Sequence, residues 1–522
     1  MASTEQTAAA PPLVNPWIIA VAVMLSTFME VLDTTVVNVS LPHIAGSLSA
    51  TVDESTWTLT SYLVSNAIIL PITGWLANYF GRKRLLMLSV IGFTSASFLC
   101  GLAPNLGFLV FFRVIQGACG GGLQPISQAV LLESFPPRDR GKAMGFWGLG
   151  IVVAPMLGPV LGGWLTDSYS WRWVFYINVP IGIAWFIMTK LFIFDPPYIR
   201  RTSSRVDYWG IGMLAVGIGA LQIVLDKGQE KDWFGTHWIT ALTLLAVVLL
   251  VSFVIYELVT EHPVVNLRVF KNRSYSIGAF MMSVLGVGLY GSTVLIPLVL
   301  QTLLGYPALQ AGIAMAPRGL GSFLAMPLVG LILTRFDSRK LLALGLGVCA
   351  LTLVQFSRLN LNAGYWEFFW PLLIMGLSLG FIFVPLTTVT MDPIPKESMG
   401  NATSLFNLVR NLGGSVGISA VATMQVRLEQ THIGLLGAHV NALSATSQAT
   451  MRQLKGYFTA VGGDPVAAAH RAYVAMWDMV LQQAAMLSYN DVFRLLGVMF
   501  LLMLPMIFLM RKPKGHGPGM AH

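Results

Sequence analysis

Residues 74–84 read GWLANYFGRKR, and residues 330–340 read GLILTRFDSRK. Each opens on glycine, ends in a short basic cluster and joins two long apolar runs. The two align at an offset of 256. At an offset of 259, Gly141, at the head of one apolar run, aligns with Gly400, at the head of another. Two near-equal offsets at matching places read as a duplication of a unit that crosses an apolar medium several times.

Working outward, a membrane-spanning helix needs about 20 mostly apolar residues. Fourteen runs meet that length: 17–41, 57–79, 85–103, 106–131, 142–165, 172–194, 207–226, 238–260, 275–303, 310–334, 341–358, 367–391, 401–426 and 490–510, numbered here as spans 1–14. Lipid offers backbone groups no water, so such runs must be helices. Composition agrees. Of 522 residues, 55% are hydrophobic and 11% charged, against about 25% charged in soluble domains. This excludes a polar-shelled soluble enzyme and a disordered chain. The 51 glycines fit helices that pack closely in lipid.

The net charge is +9, but the basic residues fall in clusters between apolar runs, so nucleic acid is not the expected partner. Cys100, Cys119 and Cys349 sit inside apolar runs and read as buried free thiols, and no metal-ligand spacing occurs. No Lys or Arg precedes span 1, so it reads as a retained helix rather than a cleaved signal peptide.

The short loops on one side hold Arg82, Lys83, Arg84; Arg138, Arg140, Lys142; Arg200, Arg201, Arg205; Arg268, Lys271, Arg273; Arg335, Arg339, Lys340; and Lys396, with Arg511, Lys512 and Lys514 in the tail. The other side holds Arg172, Lys227, Lys231 and Arg358. The positive-inside rule then puts both termini in the cytoplasm. The expected architecture is an all-α integral membrane protein: a six-helix bundle over 1–195, two inserted helices over 196–265, and a second six-helix bundle over 266–522. Repeats of this kind place a binding site between the halves near the bilayer midplane.

A few charges lie inside spans: Glu30 and Asp33 in span 1, Arg113 in span 4, Arg318 in span 10 and Arg410 in span 13. Each costs about 2.5–3.5 kcal/mol at the bilayer centre, so each is expected to be paired and functional. At about 1.5 Å per residue, Asp33 lies roughly 6 Å and Arg113 roughly 10 Å from the outer side, so they can meet. Glu30 lies one turn deeper on the same face. A carboxylate pair near an arginine suits proton coupling, because desolvation and like charge oppose the arginine's effect. Asp33 or Glu30 is expected to take protons from outside and release them inside. Arg318 follows Pro317, and Arg410 precedes Asn411 and Gly413-Gly414; both are candidate contacts for anionic substrates, or hydrogen-bond to backbone freed by Pro and Gly. Met24, Phe28, Trp57, Met281, Met282, Tyr290, Gln301, Phe381 and Phe383 are candidate cavity liners.

At these residues the chain resembles the major facilitator superfamily, and within it the 14-helix drug:proton antiporters of the EmrB/QacA type. The turn from Gly74 through Asn78 and Gly81 to Arg82-Lys83-Arg84 resembles motif A, with Asn78 where that motif usually has Asp. Phe112-Arg113 to Gln116-Gly117 resembles motif B. Gly150, Pro155, Gly158, Pro159, Gly162 and Gly163 resemble the antiporter motif C. Leu32-Asp33-Thr34-Thr35 to Asn38 and Pro42 resembles the opening motif of the 14-helix group, and Leu225 to Gly228 with Asp232-Trp233 the EmrB-type subgroup.

The resemblance implies a proton-driven efflux antiporter of hydrophobic and amphipathic drugs, working without a cofactor. Arg113 would take part in proton transfer, and Gly74, Asn78, Gly81 and Arg82 would form an inner gate. Since Asn78 carries no charge, Asp139 of the next inner loop is a candidate substitute. Asn38, Gln116, Gln124, Tyr290, Arg318 and Arg410 are the substrate-contact candidates. It also implies a bacterial inner membrane, a periplasmic adaptor protein and an outer-membrane channel. Residues 428–488, the longest polar stretch, are the candidate adaptor contact. Its run from Asp464 to Tyr489 reads as helical with a stripe at Tyr473, Trp477, Val480 and Leu481. No Walker A or HExxH motif is present, and the GxSxG matches at Gly376–Gly380 and Gly413–Gly417 lie inside apolar runs rather than on a strand-to-helix turn, so neither ATP-driven pumping nor hydrolysis is expected. The alternatives are a dedicated exporter of a metabolite such as fatty acids or siderophores, and an uncoupled membrane receptor or channel.

Overall fold

A computed structural model describes residues 15–195, 207–261, 263–333, 335–441, 444–461 and 464–510. The basic residues Arg200, Arg201, Arg205, Arg511, Lys512 and Lys514 lie outside the described residues, as does the inserted segment's expected boundary at 196. The described secondary structure is helical, and 13 helices are long and apolar enough to cross a membrane. They correspond to spans 1–12 and 14. Span 13 is the helix Met399–His439, which is longer and more polar. Its polar side chains are not spent on lipid. Thr403 donates to Pro125 O (3.0 Å) and Asn407 to Gln128 Oε1 (2.6 Å), both across the chain's midpoint.

Side-chain caps start many of these helices. Asn15 accepts from Trp17 N, Asn105 from Phe108 N, Asp207 from Gly210 N, Asn272 from Ser274 N and Asp337 from Arg339 N. Each satisfies a backbone donor that the first helical turn leaves open. Spans 4 and 6 are interrupted. The first breaks between Leu106–Gly120 and Leu123–Ser134, the second between Trp173–Tyr176 and Asn178–Phe192.

The packing repeats along the chain. Span 1 lies on 5, 2 on 4, and 3 on 4 and 6. Eight spans later, 9 lies on 13, 10 on 12, and 11 on 12 and 14. The two groups meet where 5 lies on 10 and 12, and where 2 and the second piece of 4 lie on 13. Spans 7 and 8 pair with each other, and 7 also covers spans 2 and 13. Span 8 is mostly exposed, as a lipid-facing helix is.

The sequence expectation is corrected at 428–488. That stretch is not a loop with one added helix. Span 13 runs on to His439, a separate helix covers Ala445–Ala460, and span 14 begins at Pro465 rather than 490 and ends at Leu509. The two long helices are tied by His432 Nε2 and Asp491 Oδ2 (2.9 Å). The packed stripe of span 14 is Ala468, Ala472, Met476 and Val480, while Tyr473 and Trp477 are exposed. Alanine at 468 and 472 lets neighbouring helices approach, and the aromatic residues then point away. Of the cysteines, Cys100 and Cys349 are buried and Cys119 half-buried, all free.

Small residues set the helix spacing. A Cβ at Gly158 would collide with Thr35, and one at Gly162 would lie 2.8 Å from Val36 O, both on span 1. A Cβ at Gly145 would collide with Met326 O on span 10. Gly158→Val is therefore expected to destabilise the protein by about 1–3 kcal/mol, as overpacked cores do. Adding Thr35→Ala should restore part of the loss. Thermal unfolding of the purified variants checks this; an unchanged midpoint in Gly158→Val would refute the close packing.

Candidate functional site

Asp33 lies at the centre of a closed hydrogen-bond network. Its Oδ2 accepts from Arg113 Nη1 at 2.6 Å. Its Oδ1 accepts from Gln116 Nε2 at 2.9 Å and from Asn178 Nδ2 at 2.7 Å. Arg113 also donates to Gln116 Oε1 (2.8 Å) and to Thr58 O (3.0 Å), and its guanidinium lies over the Tyr62 ring at 4.1 Å. Asn178 donates to Ser97 Oγ (3.0 Å), and Ser97 to Phe175 O (2.9 Å). Arg113, Gln116, Asn178 and Ser97 are completely buried. Five spans (1, 2, 3, 4 and 6) thus meet at one carboxylate. Such a pair persists in an apolar interior only because the remaining polar atoms are also satisfied.

Glu30 is buried one turn away. Its Oε1 accepts from Asn66 Nδ2 at 2.9 Å on span 2, and its Oε2 has no hydrogen-bond partner. The Arg410 guanidinium is near enough to act on Glu30 electrostatically. Arg410 itself donates from span 13 to Gln124 Oε1 on span 4. Electrostatic coupling, rather than a continuous set of hydrogen bonds, therefore links the Asp33 network through Glu30 to the second half.

Three of the other candidates gather around span 9. Arg318 donates to Thr293 Oγ1 (2.9 Å) and Leu289 O (3.2 Å). The Tyr290 ring lies against Gly414, and Gly286 against the backbone of Arg410. Arg318 is 8% exposed and Arg410 4%, and neither forms an ion pair among the described residues. Gln116 belongs to the Asp33 network rather than to an open surface. Asn38 is exposed, beyond the network towards the end of span 1 away from the basic loops, and joins none of these groups. Met281 and Met282 are fully buried core residues, and Phe383 stacks on Trp147 across the seam at 6.3 Å. These three are packing rather than open cavity wall.

At the end carrying the basic loops, Arg82 forms a buried ion pair with Glu133 at the end of span 4. Gly81 takes a positive φ of 86°, which glycine adopts without strain, and a Cβ there would lie 2.7 Å from Asp195 Oδ2. Lys83 N donates to Asp195 Oδ1 at 2.9 Å. Asp139 is not the substitute for a charge at 78, because it pairs with Lys142 (2.7 Å). A Cβ at Gly74 would lie 2.7 Å from the Cα of Asn401, so spans 2 and 13 touch there. Asn78 is half-buried and lines a cleft of about 250 Å³ beside that contact, with Glu261, Glu397 and Asn401. The antiporter-motif residues divide. Gly150, Gly158 and Gly162 pack on span 1, while Gly163 has open space, Pro155 is half-buried and Pro159 exposed.

Sequence reading missed Asn66, Asn178, Glu133 and Asp195. Asn66 and Asn178 carry no charge and so raise no flag inside an apolar run. Glu133 and Asp195 sit at span ends, where charge is ordinary.

The family model of the Major Facilitator Superfamily matches residues 23–418. The chain belongs to the major facilitator superfamily. Within it the chain is of the EmrB type. It is 38% identical over 505 residues to the multidrug export protein EmrB of Escherichia coli K12, covering 96% of both chains. It is also 38% identical over 501 residues to the fatty acid resistance protein FarB of Neisseria gonorrhoeae, covering 95% of this chain and 96% of that one. Two superfamily structures share the fold at low identity. The human organic anion transporter MFSD10 has a TM-score of 0.59 at 13% identity, covering 95% of this chain and 100% of that one. The proton:xylose symporter XylE has 0.56 at 15%, covering 92% and 94%.

Removing one member of a buried pair strands the other, at a cost of about 3–5 kcal/mol. Asp33→Leu is expected to lose that much stability, and adding Arg113→Met to recover much of it. Unfolding of the purified single and double variants measures this. A double variant no more stable than Asp33→Leu would contradict the pairing.

Proposed function

We propose that this protein is a proton-driven exporter of hydrophobic and amphipathic compounds in a bacterial inner membrane. The basic loops would face the cytoplasm, as the positive-inside rule directs. The observation that carries the reading is the buried Asp33–Arg113 network with Glu30 beside it, in a chain 38% identical to EmrB. An intramembrane carboxylate is costly unless used, and a proton can neutralise it reversibly. No cofactor enters the scheme; the proton gradient supplies the drive.

The cycle follows from the seams. Here the halves touch near the end that carries the basic loops, at Gly74 on Asn401, Gly141 on Leu333 and Gly145 on Met326. In the proposed cycle, protons arrive from the outer side at Asp33 and Glu30. Neutralising Glu30 weakens its attraction to Arg410 and so loosens the contact through Gln124 between the halves. The cytoplasmic seam then opens, substrate enters, the proton leaves inward and the seam closes again. Arg82 on Glu133, with Gly81 and Lys83 at Asp195, would hold the gate turn rigid while Gly74 leaves Asn401.

Outside the membrane, the extended ends of spans 13 and 14 and the helix Ala445–Ala460 would meet a periplasmic adaptor leading to an outer-membrane channel. Support comes from exposed apolar side chains there, including Tyr457, Val461, Val466, Tyr473 and Trp477.

A second reading concerns substrate charge. Arg318 lacks an acidic partner among the described residues, and the similarity to FarB is as strong as that to EmrB. The first favours amphipathic acids, fatty acids among them, over cations, and the second is compatible with them.

The test is proton flux in reconstituted vesicles under an imposed pH gradient. Substrate should dissipate the gradient in the wild type and not in Asp33→Asn; equal flux in both would overturn the coupling role. Substrate charge is read by clamping the membrane potential. Exporting a monovalent anion for one proton moves two charges and speeds up at inside-negative potential, whereas exporting a monovalent cation for one proton is indifferent to it. Arg318→Leu should weaken transport of acids about tenfold or more, the scale of one charged hydrogen bond, and leave neutral substrates unaffected.

A further inference from the structure

We infer that Asn178 is a two-way hydrogen-bond partner of Asp33: its amide donates to the carboxylate and, turned about its last side-chain bond, accepts from the protonated acid. The inference rests on the proton-coupling reading above.

The argument is a count of donors and acceptors. An ionised carboxylate only accepts, and a protonated one must also donate its O–H. The polar groups on Asp33 in the structure are Arg113 Nη1, Gln116 Nε2 and Asn178 Nδ2, and all three are donors. A protonated Asp33 would therefore point its O–H at other N–H groups. A buried donor left unpaired opposes protonation. For the site to carry a proton, an acceptor must come to it.

Arg113 has no acceptor to offer. Gln116 is locked, because its Oε1 already accepts from Arg113 Nη1 at 2.8 Å and from Cys100 Sγ at 3.6 Å. Turning it would break both bonds and set N–H against N–H. Asn178 differs. Its Oδ1 is buried and without a hydrogen-bond partner. Turning the amide by half a revolution sets Oδ1 where Nδ2 now lies, facing both Asp33 Oδ1 and Ser97 Oγ. The terminal torsion of asparagine is broad, so the cost of the turn lies in its donors, because Nδ2 leaves Asp33 and Ser97 for the place that Oδ1 now holds. Ser97 can follow, since its hydroxyl, which now donates to Phe175 O, is able to donate to the turned carbonyl instead.

Position fits the role. Asn178 opens the second piece of the interrupted span 6, at the break after Ile177. The titratable groups around Asp33 are Glu30 on span 1, Tyr62 on span 2, Cys100 on span 3 and Arg113 on span 4. Among the polar groups bonded to Asp33, only the Asn178 amide can serve both of its protonation states. Asn178 is thus a positioning residue for the proton, acting through Asp33.

The experiment is the pH profile of proton-coupled transport in vesicles, for wild type, Asp33→Asn, Asn178→Leu and Asn178→Asp. If the wild type moves no protons, or Asp33→Asn moves them equally, the coupling reading fails before Asn178 is judged. With coupling in place, Asn178→Leu removes one hydrogen bond from each protonation state. Its midpoint should stay within about half a pH unit while its maximal rate falls about tenfold, the scale of one buried hydrogen bond left unmade. Were Asn178 only a donor to the carboxylate, its loss would favour the protonated form. The midpoint would then move about one unit towards higher pH with the maximal rate retained, and that result overturns the inference. Asn178→Asp keeps a group of the same length that can donate or accept. It should retain coupled transport, with the midpoint moved upward because two carboxyls share a proton. Coupling lost as fully as in Asn178→Leu would also overturn the inference.

Discussion

A guanidinium–carboxylate contact inside a water-poor helical bundle, Arg113 on Asp33, is the constraint on which the first half depends. Neither charge tolerates that environment alone. Together they still need their remaining donors and acceptors met, which recruits Gln116, Thr58, Asn178 and Ser97 from the surrounding spans. The cost of the charges is offset by a network that fixes the rotation of five helices about one point. The second half has no equivalent ion pair among the described residues. Its buried arginines, Arg318 and Arg410, lean on carbonyl and amide oxygens instead. That asymmetry, in a chain whose helix pairings repeat, is the basis for assigning proton work to the first half and substrate contact to the second.

The halves meet through small residues rather than strong bonds. Gly74 on Asn401, Gly141 on Leu333 and Gly145 on Met326 let backbones approach closely. Contacts of this kind part without stranding a charge. Polar links across the seam, Arg410 with Gln124, Asn407 with Gln128 and Thr403 with Pro125 O, are contacts to amide oxygens that water or substrate could replace. A rigid charged interior within a half and a soft seam between halves are what a rocking transporter requires.

Most of the fold was legible in the sequence, because lipid leaves a chain few choices. Span number, the duplicated turn at Gly74 and Gly330, and the meeting of Asp33 with Arg113 all follow from hydropathy and helix rise. The misreadings share a physical cause. Span 14 starts 25 residues early because amphipathic helices project beyond the bilayer, and hydropathy stops at the lipid boundary. Span 13 is polar because it faces the other half, a partner that no local window sees. Asn66 and Asn178 were invisible for the same reason. An amide in an apolar run gains meaning only once its neighbour is known. Asp139, the candidate substitute for a charge at 78, pairs with its neighbour Lys142, and the acid that meets Arg82 is Glu133, at a span end where charge is ordinary.

The central claim is that substrate binding at the second half is coupled to loss of the proton from the charged network in the first. The most direct measurement is the proton released when substrate binds to the purified protein in weakly buffered detergent solution. The account predicts release from the wild type, and binding without release from a variant carrying Asp33→Asn and Glu30→Gln. Substrate bound by the wild type with no proton released, or the same release from that variant, would contradict it.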